Sequence, residues 1–164
     1  MNQTKRRYGK CYLFDKTGKI DDIKKLKSIG DHAFEDCTSL KSIEIPDSVK
    51  SIGDEVFYEC ASLTSISIPK SVKSIGEGAF FKCTSLANVE IPDSVKSIGK
   101  GAFSRCTSLK SVCISESVES IGEWAFYGCT SLTSIIFEGK TLEEVKRMEY
   151  YSWGIKDKSV FKFC

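Results

Sequence analysis

Residues 63–85 read LTSISIPKSVKSIGEGAFFKCTS and residues 86–108 read LANVEIPDSVKSIGKGAFSRCTS, two 23-residue segments that align column for column. Carrying this register along the chain places Leu40, Leu63, Leu86, Leu109 and Leu132 in one column. Ile29, Ile52, Ile75, Ile98 and Ile121 form a second, each followed by glycine (Gly30, Gly53, Gly76, Gly99, Gly122). Phe34, Phe57, Phe80, Phe103 and Phe126 form a third, with Cys37, Cys60, Cys83, Cys106 and Cys129 three residues on. A period of this length marks a solenoid, in which each coil buries its apolar side against its neighbours.

Within a coil, Leu40, Ile43 and Ile45 follow an L-x-x-I-x-I pattern whose last four residues alternate in and out like a short strand. Ile66 and Ile68, Val89 and Ile91, Val112 and Ile114, and Ile135 and Phe137 hold the same places. These strands should pair into one parallel sheet. Pro46, Pro69 and Pro92 end them, because proline lacks the N–H that a ladder needs. The hydroxyls of Ser48, Ser71, Ser94 and Ser117 are expected to bond turn backbone in the adjacent coil. The glycine column implies either positive φ or close approach of the next coil. Val56, Phe57 and Cys60 stand at helical spacing, so one or two turns of helix are expected over 54–60 on the outer side. The fold class is thus an α/β repeat solenoid, with a parallel sheet on one face and short helical turns on the other.

The whole chain, 1–164, reads as a single domain. Residues 1–39 comprise an N-terminal hairpin cap and a degenerate coil, 40–131 four complete repeats, and 132–164 a last strand and C-terminal cap. In the hairpin, Cys11–Phe14 and Lys19–Ile20 flank a turn; in the degenerate coil Asp22 stands where an isoleucine belongs. Thr141 with Glu144 is a capping-box pair that opens a helix through about Tyr151, placing Val145 and Met148 over the last coil. Residues 159–164 read as a final strand shielding the sheet edge.

The repeat unit L-x-x-I-x-I-P-x-S-V-x-x-I-G-x-x-A-F-x-x-C-x-S resembles the 23-residue leucine-rich repeat of BspA-type surface proteins and covers residues 26 to 137 closely. Phe137-Glu138-Gly139, Glu144-Val145 and Ser152-Trp153 resemble that family's terminal cap. The resemblance implies a curved leucine-rich-repeat solenoid on or outside the cell, associated with adhesion to host proteins and with protein–protein contact. The basic cluster Lys5, Arg6, Arg7 and Lys10 is followed by no apolar stretch that could form a signal-peptide core. The residues themselves therefore leave two expectations open, a cytoplasmic chain or one whose targeting segment has been removed.

A net charge of +2, from 24 basic and 22 acidic residues, supplies no strong field toward nucleic acid or membranes. The lysine column Lys50, Lys73, Lys96 ends in Glu119 and runs beside Asp47, Lys70, Asp93 and Glu116, which fits a solvated edge rather than a phosphate groove. No run approaches the roughly 20 apolar residues of a membrane span. His32, the one histidine, lies on the outer side of the first coil, and Cys113 four coils away on the sheet, so no Cys–His pair can form. Catalysis, cofactors and metal are not expected. Free stacked thiols are expected in the cysteine column, slow to react, with Cys113 fast. The expected function is non-enzymatic protein–protein interaction, adhesin-like by the resemblance. A structural spacer, a self-associating scaffold and an intracellular regulatory binding protein are the competing readings. The partner is a protein of unknown identity, and the chain a monomer or weak self-associator. The outward sheet residues include Glu44, Ser67, Glu90, Cys113 and Ile136, and the outer turns add Trp124 and Tyr127 beside Tyr58 and Phe81, at positions where other coils carry Gly78, Gly101 and Ser104. These seven, from Glu44 to Tyr127, are the candidate binding residues, because aromatic and large apolar groups dominate interface hot spots.

Overall fold

The structure, a computed structural model, describes residues 27–148 and 150–164. The expected hairpin, with Ile20, Asp22 and Leu26 of the first coil, lies outside them. The coils pair through two parallel ladders rather than one. The first joins β1 (Ser28–Ile29), β2 (Ser51–Ile52), β3 (Ser74–Ile75), β5 (Ser97–Ile98) and β7 (Ser120–Ile121), each shifted by one repeat. The second joins β4 (Asn88–Ile91), β6 (Ser111–Ile114), β8 (Ser134–Phe137) and β9 (Phe161–Phe163), and a parallel bridge between Glu44 and Ser67 sits at the equivalent place in earlier coils. Alternation decides which side chains face in: Val89 and Ile91 are buried, while Asn88 and Glu90 are exposed.

The outer side corrects the expected helices. Residues 54–60 and their equivalents form turns whose backbone bonds run alternately along the chain and across coils. Phe81 N–H donates back to Gly78 at 2.9 Å, whereas Phe80 N–H donates to Ala102 in the next coil at 2.7 Å. Gly78 and Lys82 likewise donate across, to Lys100 and Ser104. Alternate peptides can point at the neighbour only if some residues flip to left-handed φ. Glu55 and Glu59 do so at 51° and 56°, Gly78 and Lys82 at 58° and 55°, Gly101 and Arg105 both at 60°. Val56, Phe57 and Cys60 are fully buried as expected, without a helix. From Gly53 to Gly122 the glycine column follows the second alternative, close approach: a Cβ on Gly99 would lie 2.5 Å from the carbonyl carbon of Gly76, closer than any side chain can be placed.

The core is a set of columns. The phenylalanines stack with centroids 5.2 Å apart from Phe34 to Phe57 and Phe57 to Phe80, 5.1 Å from Phe80 to Phe103 and 5.8 Å from Phe103 to Phe126. This is the offset-stacked spacing aromatic pairs prefer. The cysteines do more than fill space. Each of Cys60, Cys83, Cys106 and Cys129 donates its thiol to the carbonyl of the phenylalanine 26 residues earlier, at 3.1–3.2 Å. Cys37 is a correction: it is disulfide-bonded, with a partner outside the described residues. Ser71 and Ser117 make the expected inter-coil bonds, to Val49 and Val95, but the Ser48 and Ser94 hydroxyls have no partner among the described residues.

At the C-terminal end Thr141 caps α1 (Leu142–Arg147), with both halves of the capping box formed. The helix stops at Met148 instead of Tyr151, and a 3-10 turn, Tyr150–Trp153, follows. That turn takes over the outer ladder: Trp124 and Phe126 donate to the carbonyls of Ser152 and Trp153 at 2.6 and 3.0 Å. The buried Trp153 ring then closes the core against Phe137 and Phe161, and β9 covers the edge of β8.

Candidate interaction surfaces

Because strands of successive coils pair without stagger, side chains at one repeat position form a straight row across the sheet. Glu44 bridges Ser67, Glu90 stands beside Cys113, Cys113 beside Ile136, and Ile136 beside Lys162. Glu44, Ser67 and Glu90 are exposed, whereas Cys113 and Ile136 are half-buried. In the neighbouring row Ser111 donates to Asn88 Oδ1 at 2.7 Å. The face is therefore mostly polar, with apolar groups at Cys113 and Ile136 in its C-terminal rungs.

Cys113 departs from its expected reactivity. Its thiol donates to Glu138 Oε1 at 3.1 Å. Burial, that hydrogen bond and the negative charges of Glu138 and Glu90 all disfavour the thiolate, pushing the group up to about 12. Since the thiolate is the nucleophile, exposure alone does not make this cysteine fast.

Trp124 and Tyr127 are half-exposed, at 50% and 48%. They form one wall of an open cavity of about 650 Å³ on the outer turns. Tyr58 and Phe81, stacked 4.8 Å apart, form the other, with Gly78, Gly101 and Ser104 between them. Sequence reasoning named the small and the aromatic positions but not the cavity they enclose. The signal was available in the columns: Tyr58, Phe81, Ser104 and Tyr127 share one, Glu55, Gly78, Gly101 and Trp124 another. The two candidate sets, sheet row and outer aromatics, lie on different surfaces and are not brought together.

His32 Nδ1 lies 3.2 Å from both Glu35 and Glu55, in a solvent-facing cluster. On the lysine edge Lys96 pairs with Glu119 at 3.2 Å, as its mixed charges led one to expect. No helix among the described residues is long and apolar enough to cross a membrane.

Comparison with known proteins agrees with this architecture. A leucine-rich cell surface protein of Faecalibacterium prausnitzii superposes with a TM-score of 0.72 at 33% identity, covering 75% of this chain and 32% of that one. A leucine-rich repeat protein of Bacteroides ovatus gives 0.68 at 36%, covering 80% and 32%. The T. pallidum leucine-rich repeat protein gives 0.64 at 31%, covering 84% and 71%. The chain thus spans about a third of the length of the first two. No curated protein sequence matches it. Residues 10–93 and 50–160 match the family model described as BspA type leucine rich repeat region, in six copies. The chain belongs to the BspA-type leucine-rich repeat family.

Proposed function

We propose that this chain is a non-enzymatic protein-binding module that engages its partner through the exposed sheet face, centred on Glu90, Cys113 and Ile136. The observation that carries the reading is the in-register row from Glu44 to Lys162, exposed over its first half and apolar only at Cys113 and Ile136. Serine and asparagine side chains adapt their hydrogen bonds but anchor little, so affinity concentrates where larger apolar groups stand. On this reading the described coils act as one unit, covered at the C-terminal end by α1, the Tyr150–Trp153 turn and β9. Family membership supports protein contact. The F. prausnitzii relative, described as a cell surface protein, supports an extracellular, adhesin-like setting.

The test is capture of partners from host-protein and own-cell lysates separately, with wild type and with Glu90→Lys combined with Ile136→Asp. The double variant should lose the captured protein while keeping its melting temperature. Capture that survives these changes but disappears with Trp124→Ala and Tyr127→Ala moves the site to the outer turns.

A further inference from the structure

The outer turn of the first described coil carries the chain's one histidine among carboxylates. His32 and Glu55 share a column of the repeat, 23 residues apart, and Glu35 stands three residues after His32. Both His32 and Glu55 take left-handed φ, 58° and 51°, so their side chains leave adjacent coils from the same backbone geometry. Hydrogen bonds fix that backbone. His32 N–H donates to the Asp54 carbonyl at 2.9 Å, Glu35 N–H to the His32 carbonyl at 3.2 Å, and Glu55 N–H to the Glu77 carbonyl at 2.8 Å. His32 Nδ1 therefore lies 3.2 Å from an oxygen of Glu35 and 3.2 Å from one of Glu55. The nitrogen and the two carboxylates present ligand atoms all within 4.8 Å of one another.

We propose that His32 Nδ1, Glu35 and Glu55 bind one divalent cation of the zinc class, which clips the outer turns of two adjacent coils together. Spacing, charge and donor type select this occupant. Ligand atoms around a tetrahedral zinc, with bonds of about 2.0–2.2 Å, stand roughly 3.3–3.6 Å apart. The 3.2 Å contacts need little adjustment to reach that. Among the described residues, Glu35 and Glu55 have no lysine or arginine in ion-pair range, whereas Glu59, in the same turn as Glu55, is held by Lys82 at 2.6 Å. An imidazole carries at most one proton on Nδ1 and can aim it at only one of two carboxylates. A dication faces all three ligands at once and offsets both charges. One imidazole nitrogen with two carboxylate oxygens suits zinc, while calcium takes six to eight oxygens. All three side chains are partly exposed, so the ion enters from solvent and a water completes the tetrahedron. Local spacing hides the site because Glu55 comes from the next coil. It lies on the outer turns and does not rest on the sheet-face reading.

The probe is zinc chloride, titrated into the tag-free full chain near neutral pH and followed by nitrogen NMR of the imidazole. With one histidine in the chain, the two ring nitrogens give a single pair of signals. The Nδ1 signal should move to that of a metal-bound nitrogen and saturate at one equivalent, while Nε2 keeps its proton. Competition with a chromophoric chelator reads the affinity. Glu35→Gln, Glu55→Gln and His32→Asn should each weaken it by about tenfold or more, the loss that even an outer partner of a ligand produces. Asparagine tolerates the left-handed φ at position 32, so the melting temperature without zinc should hold. Cys164→Ser, which removes the exposed thiol, should leave the binding intact. The proposal is overturned by an Nδ1 signal that stays put at millimolar zinc, by ligation through Nε2, or by affinity that the three variants keep. It is overturned equally by binding that Cys164→Ser abolishes, or by calcium chloride moving the histidine signal at lower concentration than zinc. Failure of the sheet-face capture in the preceding section leaves these readouts unmoved.

Discussion

Phe80→Ala removes the middle ring of the inner ladder, and its cost can be worked from the neighbours. The ring is fully buried and stacks on Phe57 at 5.2 Å and on Phe103 at 5.1 Å. Truncating a buried phenylalanine costs about 3–5 kcal/mol. Two ring pairs, worth about 0.5–1.5 kcal/mol each beyond burial, place this site toward the upper end. At about 2–4 °C per kcal/mol for a chain of this size, the melting temperature should fall by roughly 8–20 °C. Adjacent Phe81 is half-buried and touches one ring, Tyr58, with Lys82 and Arg105 at 5.6 and 5.9 Å. Its truncation should cost about 1–2 kcal/mol, more than for a freely solvated side chain. Urea and thermal unfolding followed by circular dichroism measure both. Equal losses at the two positions, or a loss below ~2 kcal/mol at Phe80, would refute the phase assigned to the outer turn.

The glycines separate two kinds of constraint. Gly99→Ala drives a methyl into the Gly76 backbone and should cost more than ~3 kcal/mol, whereas Gly101→Ala, at φ 60° in open space, should cost ~1–2 kcal/mol; the reverse order in urea unfolding would contradict the coil spacing. Native alkylation at pH 8 should label the exposed Cys164 first and leave Cys60, Cys83, Cys106 and Cys113 slow; a Cys113 as fast as Cys164 would show that the bond to Glu138 is absent in solution. Burial raises the Cys60 and Cys129 thiols to about 12. The folded chain therefore keeps protons that the unfolded chain releases above about pH 8.5. That contribution is whole below this pH and is lost as pH climbs toward 12, so the urea midpoint should fall between pH 9 and 11, and less so in Cys60→Ala.

The apolar columns were legible because a solenoid interior demands the same side chain at the same place in every coil: the phenylalanines stack as read, and the leucines and isoleucines are buried, Leu132 partly. The outer turn was not. Val56, Phe57 and Cys60 satisfy helical spacing, yet three buried positions in seven residues fit equally a turn that bonds across coils. The deciding bonds join residues about 22 apart, which local spacing does not encode. Gly78, Gly101 and Gly128, standing at left-handed positions, were the available clue. The cysteine column was read as small apolar filler, although alanine fills space as well and only a thiol can also donate to the phenylalanine carbonyl. Cys37, read as one more free rung, lies at the end of the described column and is bonded elsewhere.

Site-specific photocross-linking reads directly whether a partner covers the sheet face. A benzophenone side chain placed singly at Ser67 or Glu90 on the sheet row, and at Lys50 or Lys73 on the solvated edge, reports which surface a partner covers. One discrete protein adduct is expected from the sheet positions, and none from the edge. Adducts from the edge alone, or equal adducts from all four positions, would contradict binding through the sheet face.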